Sequence, residues 1–524
     1  MLLRFSGPSG QDAIHVEKEG LDGLATICLF LGRRLYPPVP LSSATGCVFR
    51  SLERGFARCP DERLGRRVSY NSWLCKTTIL ATSFKGKIMK YDPEFLENYW
   101  MPFTSNRDFK ADPRIVVRSE GVYMYNDSEE RILDGSSGLF CCAAGHSRPE
   151  IAQAVHDQLK ASAYVPPFQL AQPLSFELAR RVAKLTPDGL DHIFFGNSGS
   201  EAVDTAMKIV YAYHYARGEG QRQRFVSRER AYHGVNMAGV SLSGMIKNRQ
   251  AFGPGIPGVV HMRHTWLPEN RFIKGQPNEG LDLAEDLLRI AMNYGPDTIA
   301  ACIVEPVAGS TGCLVPPKGY LERLRQICDD HGILLIFDEV ICGFGRMGTP
   351  FASQAFGVTP DIMTMAKALT NAAQPMGAVA VSDKVYDAIM DSSAEGAIEF
   401  FHGYTYSAHP GACAAGIATM DIFEKENLIG RAADLSEYFL EQVFALSDIP
   451  LITDIRGYGL FAGIDLEPMG NPGVRGIDFQ KRLFKNGLHI KMTGDAALVA
   501  PPLVSERHHI DRICEVIRET LAEY

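Results

Sequence analysis

Residues 333–340 read Ile333-Leu334-Leu335-Ile336-Phe337-Asp338-Glu339-Val340. Five apolar residues with no polar alternation run straight into two acids. Such a run reads as a short strand buried on both faces, the kind found in parallel sheets. Just before it, Tyr320–Asp330 has a helical pattern and Gly332 punctuates the join. The same texture recurs outward on the N-terminal side. His192–Phe195, Phe225–Ser227 and Ile299–Val304 read as strands, and Leu174–Leu185, Glu201–Ala216 and Leu281–Met292 read as helices. Strands that alternate with helices predict an α/β fold with a mostly parallel sheet and crossover helices. After residue 410 the texture changes. Pro410–Lys425 and Leu435–Leu446 read as helices, Leu460–Asp465, Leu488–Met492 and Ala497–Ala500 as strand-like pieces, and His509–Glu523 as a last helix. Ile115–Tyr125 and the region of Asp134 add short strands near the front. The expected organisation is a large domain over 151–410 and a smaller α+β domain built from 89–150 and 411–524.

The composition is that of an ordinary globular chain: 524 residues, 46% hydrophobic and 22% charged, with a net charge of −8. No global positive field favours nucleic acid or an anionic membrane. No apolar run reaches the length of about 18 residues that a membrane span needs. The twelve Cys are scattered, with no CxxC and no Cys/His ligand spacing. That pattern fits free thiols in a reducing, cytoplasmic compartment better than a disulfide frame or a metal site. Residues 1–88 differ in carrying a charge of +6 against −14 for the remainder. Their apolar stretch Leu24–Leu31 follows acids, which suits neither a signal peptide nor a transit peptide. The expectation is that 1–88 is a dispensable extension and that Met89 begins the working protein. An organellar presequence is the alternative.

Three motifs lie at expected strand ends, where ligands of open parallel sheets bind. Asn197-Ser198-Gly199-Ser200-Glu201 is a turn of small residues opening a helix. Free backbone N–H groups and the helix dipole suit a phosphate there, although an N-cap at Ser198 or Ser200 explains the same residues. Asp338 ends a buried strand and needs a cationic partner, which a ring nitrogen or a protein Arg or Lys would supply. It is a better candidate than Glu339, which points to the opposite face. Lys367, in Met365-Ala366-Lys367-Ala368-Leu369, has only small and apolar neighbours. Burial lowers an amine's pKa and exposes a neutral nucleophile fit for imine formation, while a snorkelling structural Lys is the bland reading. Gly343-Phe344-Gly345-Arg346-Met347-Gly348 matches a dinucleotide fingerprint. The residues after it open no clear helix, so a dehydrogenase is set aside.

In this order and spacing, Ser-Gly-Ser-Glu-Ala, Asp-Glu-Val and Ala-Lys-Ala resemble the class III (omega) aminotransferases, which use pyridoxal 5'-phosphate on fold type I. Trp100-Met101-Pro102-Phe103, Ser137-Gly138-Leu139-Phe140, Ala231-Tyr232-His233-Gly234-Val235-Asn236, Glu305-Pro306-Val307, Val315-Pro316-Pro317 and His402-Gly403-Tyr404-Thr405-Tyr406-Ser407-Ala408-His409-Pro410 extend the resemblance over more than four-fifths of the chain. The last is most similar to the branch acting as beta-alanine–pyruvate transaminases. The resemblance implies that Lys367 holds the cofactor covalently and moves the substrate proton. Asp338 would pair with the ring nitrogen, Val340 and Tyr232 would flank the ring, and Glu305 would lie near it. Ser198, Gly199 and Ser200 would hold the phosphate, with Thr405 reaching the phosphate of a neighbouring subunit. That implies a homodimer or a homotetramer with shared sites. His233 is expected to be structural rather than a base.

The substrate residues depart from the family pattern. Leu498 stands where relatives acting on alpha-amino acids or ornithine place an Arg, and Ser310 where the ornithine group has a Glu. Lys491 stands near the position of the movable Arg of the beta-alanine branch. An ammonium pairs with a carboxylate but lacks the planar fork of a guanidinium. Phe140 replaces a Trp in the pocket wall, with Trp100 and Leu139 as its other apolar parts, and Arg456 is expected to be structural. The function implied is transfer of an amino group from a beta-alanine-like omega-amino acid or amine to pyruvate, giving alanine and a semialdehyde. The alternatives are another class III transaminase with a 4-aminobutyrate or amine donor, or an aminomutase, racemase or decarboxylase on the same scaffold. A non-catalytic interaction protein is the remaining rival.

Overall fold

The computed structural model describes residue 91, residues 93–524 and six short strands between residues 2 and 40. The chain divides into two compact units, Met1–Lys87 and Ile88–Tyr524. In the first, Leu2–Arg4, Ala13–Glu17, Thr26–Cys28 and Val39–Pro40 pair antiparallel in that order. Apart from the short strands, the expectation that 1–88 is dispensable and that Met89 is the working start lies outside the described residues.

The second unit opens on an antiparallel meander of β1 (Val116–Glu120), β2 (Tyr123–Asn126) and β3 (Arg131–Asp134). Helices α1 (Pro149–Ala161) and α2 (Pro173–Ala183) each start on a proline. Proline suits that position because the first helical N–H lacks an intrahelical partner anyway. The main sheet consists of β4 (His192–Gly196), β5 (Arg224–Arg228), β6 (Val259–Met262), β7 (Ile299–Val304), β8 (Leu334–Asp338), β9 (Ile362–Met365) and β10 (Gly377–Val381). Its spatial order is β4-β10-β9-β8-β7-β5-β6. β10 runs antiparallel to both of its neighbours, and the other pairs are parallel.

Both faces of this sheet are covered, which is why its central strands β7 and β8 are apolar almost throughout. Leu334 and Ile336 of β8 pack with Val379 and Val381 of β10 against helix α3 (Gly199–Ala216). Leu335 and Phe337, pointing the other way, join helices α4 (Glu285–Tyr294) and α5 (Tyr320–His331). Helix α3 buries Val203, Met207, Ile209 and Val210, each contributing about 1.5–3 kcal/mol. A charge at Val210 would face the sheet without a partner and break that packing.

The C-terminal part contains α6 (Pro410–Lys425), α7 (Leu428–Phe444), β11 (Ile452–Tyr458), β12 (Phe461–Leu466), α8 (Val474–Lys485), β13 (Leu488–His489), β14 (Lys491–Thr493), β15 (Ala496–Val499) and α9 (Arg507–Leu521). The expected strand Leu488–Met492 is two strands in two sheets. β13 pairs with β3, placing Leu488 beside Leu133, while β14 pairs with β15, placing Lys491 beside Leu498. Strands β6, β9, β10 and β11 are not among those the sequence reading names. β10 reads Gly377-Ala378-Val379-Ala380-Val381, too small in volume to stand out as a core strand. Among the described residues no helix is long and apolar enough to cross a membrane. Among them, too, no group of three or more His, Cys, Asp or Glu is placed to hold a metal ion.

Candidate active site

The parallel strands deliver their C-terminal ends to one edge of the sheet, and the polar residues of the chain converge there. Asp338 is the last residue of β8, Glu305 follows β7, and Lys367 lies two residues past β9. The loop after β5 brings in Tyr232, His233 and Gly234, and helix α3 starts after β4. Together they line a cavity of about 130 Å³ that includes Gly199, Ser200, Tyr232, Glu305, Asp338, Val340 and Lys367.

Asp338 is buried and accepts three hydrogen bonds: His233 Nδ1 at 2.7 Å, the Val340 N–H at 3.1 Å and the Thr364 hydroxyl at 3.1 Å. These donors orient the carboxylate beside the cavity, where a cationic group would pair with it. Burial lowers the pKa of Lys367 and Asp338 opposes that shift, which favours a neutral amine more than in water. Lys367 is also held at φ +49, a left-handed backbone that a side chain this long adopts only under constraint. Burial pushes Glu305 up to about 7. Glu339, on the opposite face, accepts the N–H groups of Ala352 and Ser353 at 2.9 and 2.7 Å. It therefore caps the short helix Ala352–Phe356, a helix that the glycine-rich stretch before it had not announced. That stretch has its own structural use. Arg346 is buried and donates to the carbonyls of Leu460 and Pro501 and to Ser137 Oγ.

At the start of α3, Ser198 is the N-cap and its Oγ accepts from Glu201 N at 3.2 Å. Ser200 Oγ accepts from Val235 N at 3.0 Å. Both hydroxyls therefore keep their own hydrogen to donate. The first N–H groups of the helix have no intrahelical partner, and the dipole adds a positive end. The backbone is packed to the limit here. A Cβ on Gly199 would lie 3.1 Å from both methyls of Val340, one on Gly234 (φ +100) 2.5 Å from Ser200 Oγ, and one on Gly377 2.2 Å from the Ser198 carbonyl oxygen.

These contacts fit pyridoxal phosphate. A buried amine is present for its aldehyde, an oriented carboxylate for its ring nitrogen, and a helix N-terminus with two donor hydroxyls for its phosphate. The family model for aminotransferase class III matches residues 104–521. The chain belongs to the class III aminotransferases. The aminotransferase is 53% identical to an omega-aminotransferase of Caulobacter vibrioides, over 82% of this chain and 98% of that one. It is 45% identical to a beta-alanine–pyruvate aminotransferase of Pseudomonas aeruginosa, over 81% and 96%. The omega transaminase of Pseudomonas jessenii in complex with PMP superposes with a TM-score of 0.78 at 34% identity, covering 83% of this chain and 98% of that one. A thermostable (S)-enantioselective omega-transaminase from Thermomicrobium roseum gives 0.77 at 35%, covering 82% and 97%. The fold is that of fold type I, and the cofactor of this aminotransferase is pyridoxal phosphate.

Not every residue singled out from sequence reaches the cavity. Thr405 is exposed, and its carbonyl accepts from Tyr164 Oη at 3.1 Å. Trp100 is 89% exposed and Leu139 is exposed as well. Phe140 and Leu498 also lie among buried residues. Phe140, at φ +64, turns inward to 6% exposure and packs on Phe461 with ring centroids 5.5 Å apart. Leu498 is buried in β15 among core residues. The left-handed turn at Phe140 and the register of β15 against β14 fix where the two side chains sit. Lys491 is half-buried, its backbone N–H bonds Ser136 Oγ at 2.9 Å, and burial lowers its pKa. Arg456 pairs with Asp454 and Asp465 and donates to the Gly312 carbonyl, a structural network. Sequence reading missed Thr364 and the contact of His233 with Asp338. Ala231-Tyr232-His233-Gly234 carried the one available signal, a His between an aromatic and a glycine.

Proposed function

We propose that this aminotransferase transfers the amino group of an omega-amino acid or amine, beta-alanine among them, to pyruvate, giving alanine and a semialdehyde. The observation that carries the reading is the convergence of Lys367, Asp338 and the α3 N-terminus on one cavity. The identity of relatives matched over nearly their whole length supports the choice of substrates. When bound, pyridoxal phosphate supplies an aldehyde that condenses with amines and a conjugated ring that accepts an electron pair. The protein residues do the rest. Ser198, Gly199 and Ser200 bind the phosphate at the helix N-terminus. Asp338 holds a proton on the ring nitrogen, and Val340 and Tyr232 orient the ring. Lys367 Nζ would hold the cofactor through its aldehyde, and its amine would be placed to carry the proton of the donor carbon. Lys491 takes the carboxylate of the substrate; burial alone shifts its pKa, with no neighbouring charge opposing it. Trp100 and Leu139 supply apolar contacts.

A homodimer, or a homotetramer built from it, completes the site. Thr405 and the aromatic residues Trp100, Phe103, Phe401 and Tyr406 are all exposed, which supports their use at a subunit interface. The free thiols support a reducing, cytoplasmic setting. The test is made in halves. Beta-alanine should convert the bound cofactor to its amine form, and pyruvate should convert it back with release of alanine. Borohydride trapping and peptide mapping should place the cofactor on Lys367. If beta-alanine leaves the spectrum unchanged, or the trapped peptide lacks Lys367, the reading is lost.

A further inference from the structure

The turn after β3 sets two cysteines side by side, Cys141-Cys142, and neither has a task in the chemistry above. Successive side chains of an extended chain point to opposite faces. This segment is not extended. Phe140 takes a left-handed φ of +64, and the N–H groups of Cys141 and Cys142 both donate to the Ser137 carbonyl oxygen, at 2.9 and 3.0 Å. The chain wraps around that one acceptor, and both sulfurs come to lie beside Gly138. A Cβ built on Gly138 would stand 3.6 Å from Cys141 Sγ and 3.6 Å from Cys142 Sγ. Chain neighbours aside, no other heavy atom among the described residues lies within 4 Å of that point. The absent side chain leaves a space that the two sulfurs share.

The pair is also within reach of solvent. Both thiols are half-buried, whereas the further cysteines between residues 302 and 514 are buried. A hydrogen bond from Cys142 favours the thiolate on Cys141 and keeps the proton on Cys142. Lys367 acts on Cys141 in the same direction, and burial and Asp134 oppose it. A nucleophilic sulfur thus stands next to a second sulfur that still carries its hydrogen.

We propose that Cys141 and Cys142 form a dithiol site that binds a monosubstituted trivalent arsenical between the two sulfurs. Soft sulfur ligands select soft centres, and the second sulfur binds intramolecularly once the first has bound. The Cys141 sulfur attacks arsenic first and the Cys142 sulfur follows. Two As–S bonds form and two As–O bonds break. The two thiol hydrogens leave with the two hydroxides as two waters. Arsenic stays trivalent, so nothing is oxidised or reduced. A direct S–S bond fits the pair less well. The peptide between them is trans, which holds the Cα atoms about 3.8 Å apart, and disulfide-linked Cα atoms usually lie about 4.4–6.8 Å apart. A bridging atom lengthens the link and removes that conflict. Binding here does not depend on the role proposed for Lys367.

The full-length protein loaded with pyridoxal phosphate is titrated with phenylarsine oxide, which is a dihydroxide in water. The intact mass should show one phenylarsenic group gained and two hydrogens lost. Peptide mapping should place this first equivalent on the peptide that holds Cys141 and Cys142. Cys141→Ser and Cys142→Ser should each weaken its binding about 100-fold or more, the loss of the intramolecular second bond. Dithiothreitol should strip the adduct at a concentration at which glutathione leaves it in place. A first equivalent mapped to other cysteines, an adduct held by one sulfur, or unchanged affinity in either Ser variant overturns the proposal. The wild-type mass and map decide the matter even where a Ser variant fails to fold.

Discussion

Gly377→Ala is the sharpest test of how the phosphate cradle is built. Gly377 opens β10 and stands beside Gly196 of β4, directly under the first peptide of helix α3. A Cβ there would lie 2.2 Å from the Ser198 carbonyl oxygen, 2.5 Å from its carbon and 3.2 Å from Gly199 N. Ordinary heavy-atom contact begins near about 3.5 Å, so the backbone at Ser198 must retreat by roughly 1 Å. No flexible side-chain end is available to absorb the clash, because all three atoms are main chain. Overpacking of this kind costs about 1–3 kcal/mol. If the cost falls on the conformation that binds phosphate, affinity for pyridoxal phosphate drops about 5- to 150-fold. Fluorescence titration of apoprotein with pyridoxal phosphate measures this directly. Pyridoxal, which lacks the phosphate, serves as the control and should lose much less. Unchanged pyridoxal phosphate affinity in a folded Gly377→Ala protein would refute the reasoning. Equal losses for both aldehydes would remove the phosphate from this helix terminus.

Other consequences can be measured separately. Lys491→Ala should raise KM for beta-alanine about tenfold, the loss of one partly screened charge-assisted hydrogen bond, and leave simple amines nearly unaffected; equal effects on both would take Lys491 out of the binding site. Cys141 should be alkylated by iodoacetamide before the fully buried cysteines, because a hydrogen bond from Cys142 lowers its thiol's pKa against the opposing effect of burial, while burial pushes those of Cys302, Cys313, Cys413 and Cys514 up to about 12. Peptide mapping by mass spectrometry checks the order, and prior modification of any of those four would be decisive against it. Asp454→Ala should destabilise the fold by about 3–5 kcal/mol in urea, since it leaves Arg456 buried without one carboxylate partner and strips the acceptor from Trp266 Nε1 at 2.9 Å and Phe272 N at 2.8 Å. Burial raises Glu339 to about 7 against an ordinary value of 4.5, so the folded chain binds a proton that the unfolded chain releases. Its contribution is present below about pH 4.5 and is lost as pH rises through about 7, and Glu339→Gln should flatten that slope in a denaturation series.

The class of fold and much of the chemistry of the site can be read along the chain. Strands such as Ile333–Phe337 are legible because burial on both faces demands an unbroken apolar run. Asp338 and Lys367 are legible because a charged residue among apolar neighbours needs a partner or a task. Local spacing also announces the turn at Ser198–Ser200, since an N-cap is a contact made within a few residues. Other features depend on atoms distant along the chain. Nothing near His233 says that its Nδ1 meets Asp338, 105 residues away. Nothing near Gly377 says that the Ser198 carbonyl fills the space of its missing side chain. Leu488–Met492 reads as one strand because its pattern is continuous, yet two different partners, Leu133 and Leu498, draw its halves into separate sheets. Nothing near Phe140 says that its ring packs on Phe461, with centroids 5.5 Å apart. Spacing and burial are properties of a segment, whereas register, facing direction and close approach belong to pairs of segments and exist only once the chain has folded.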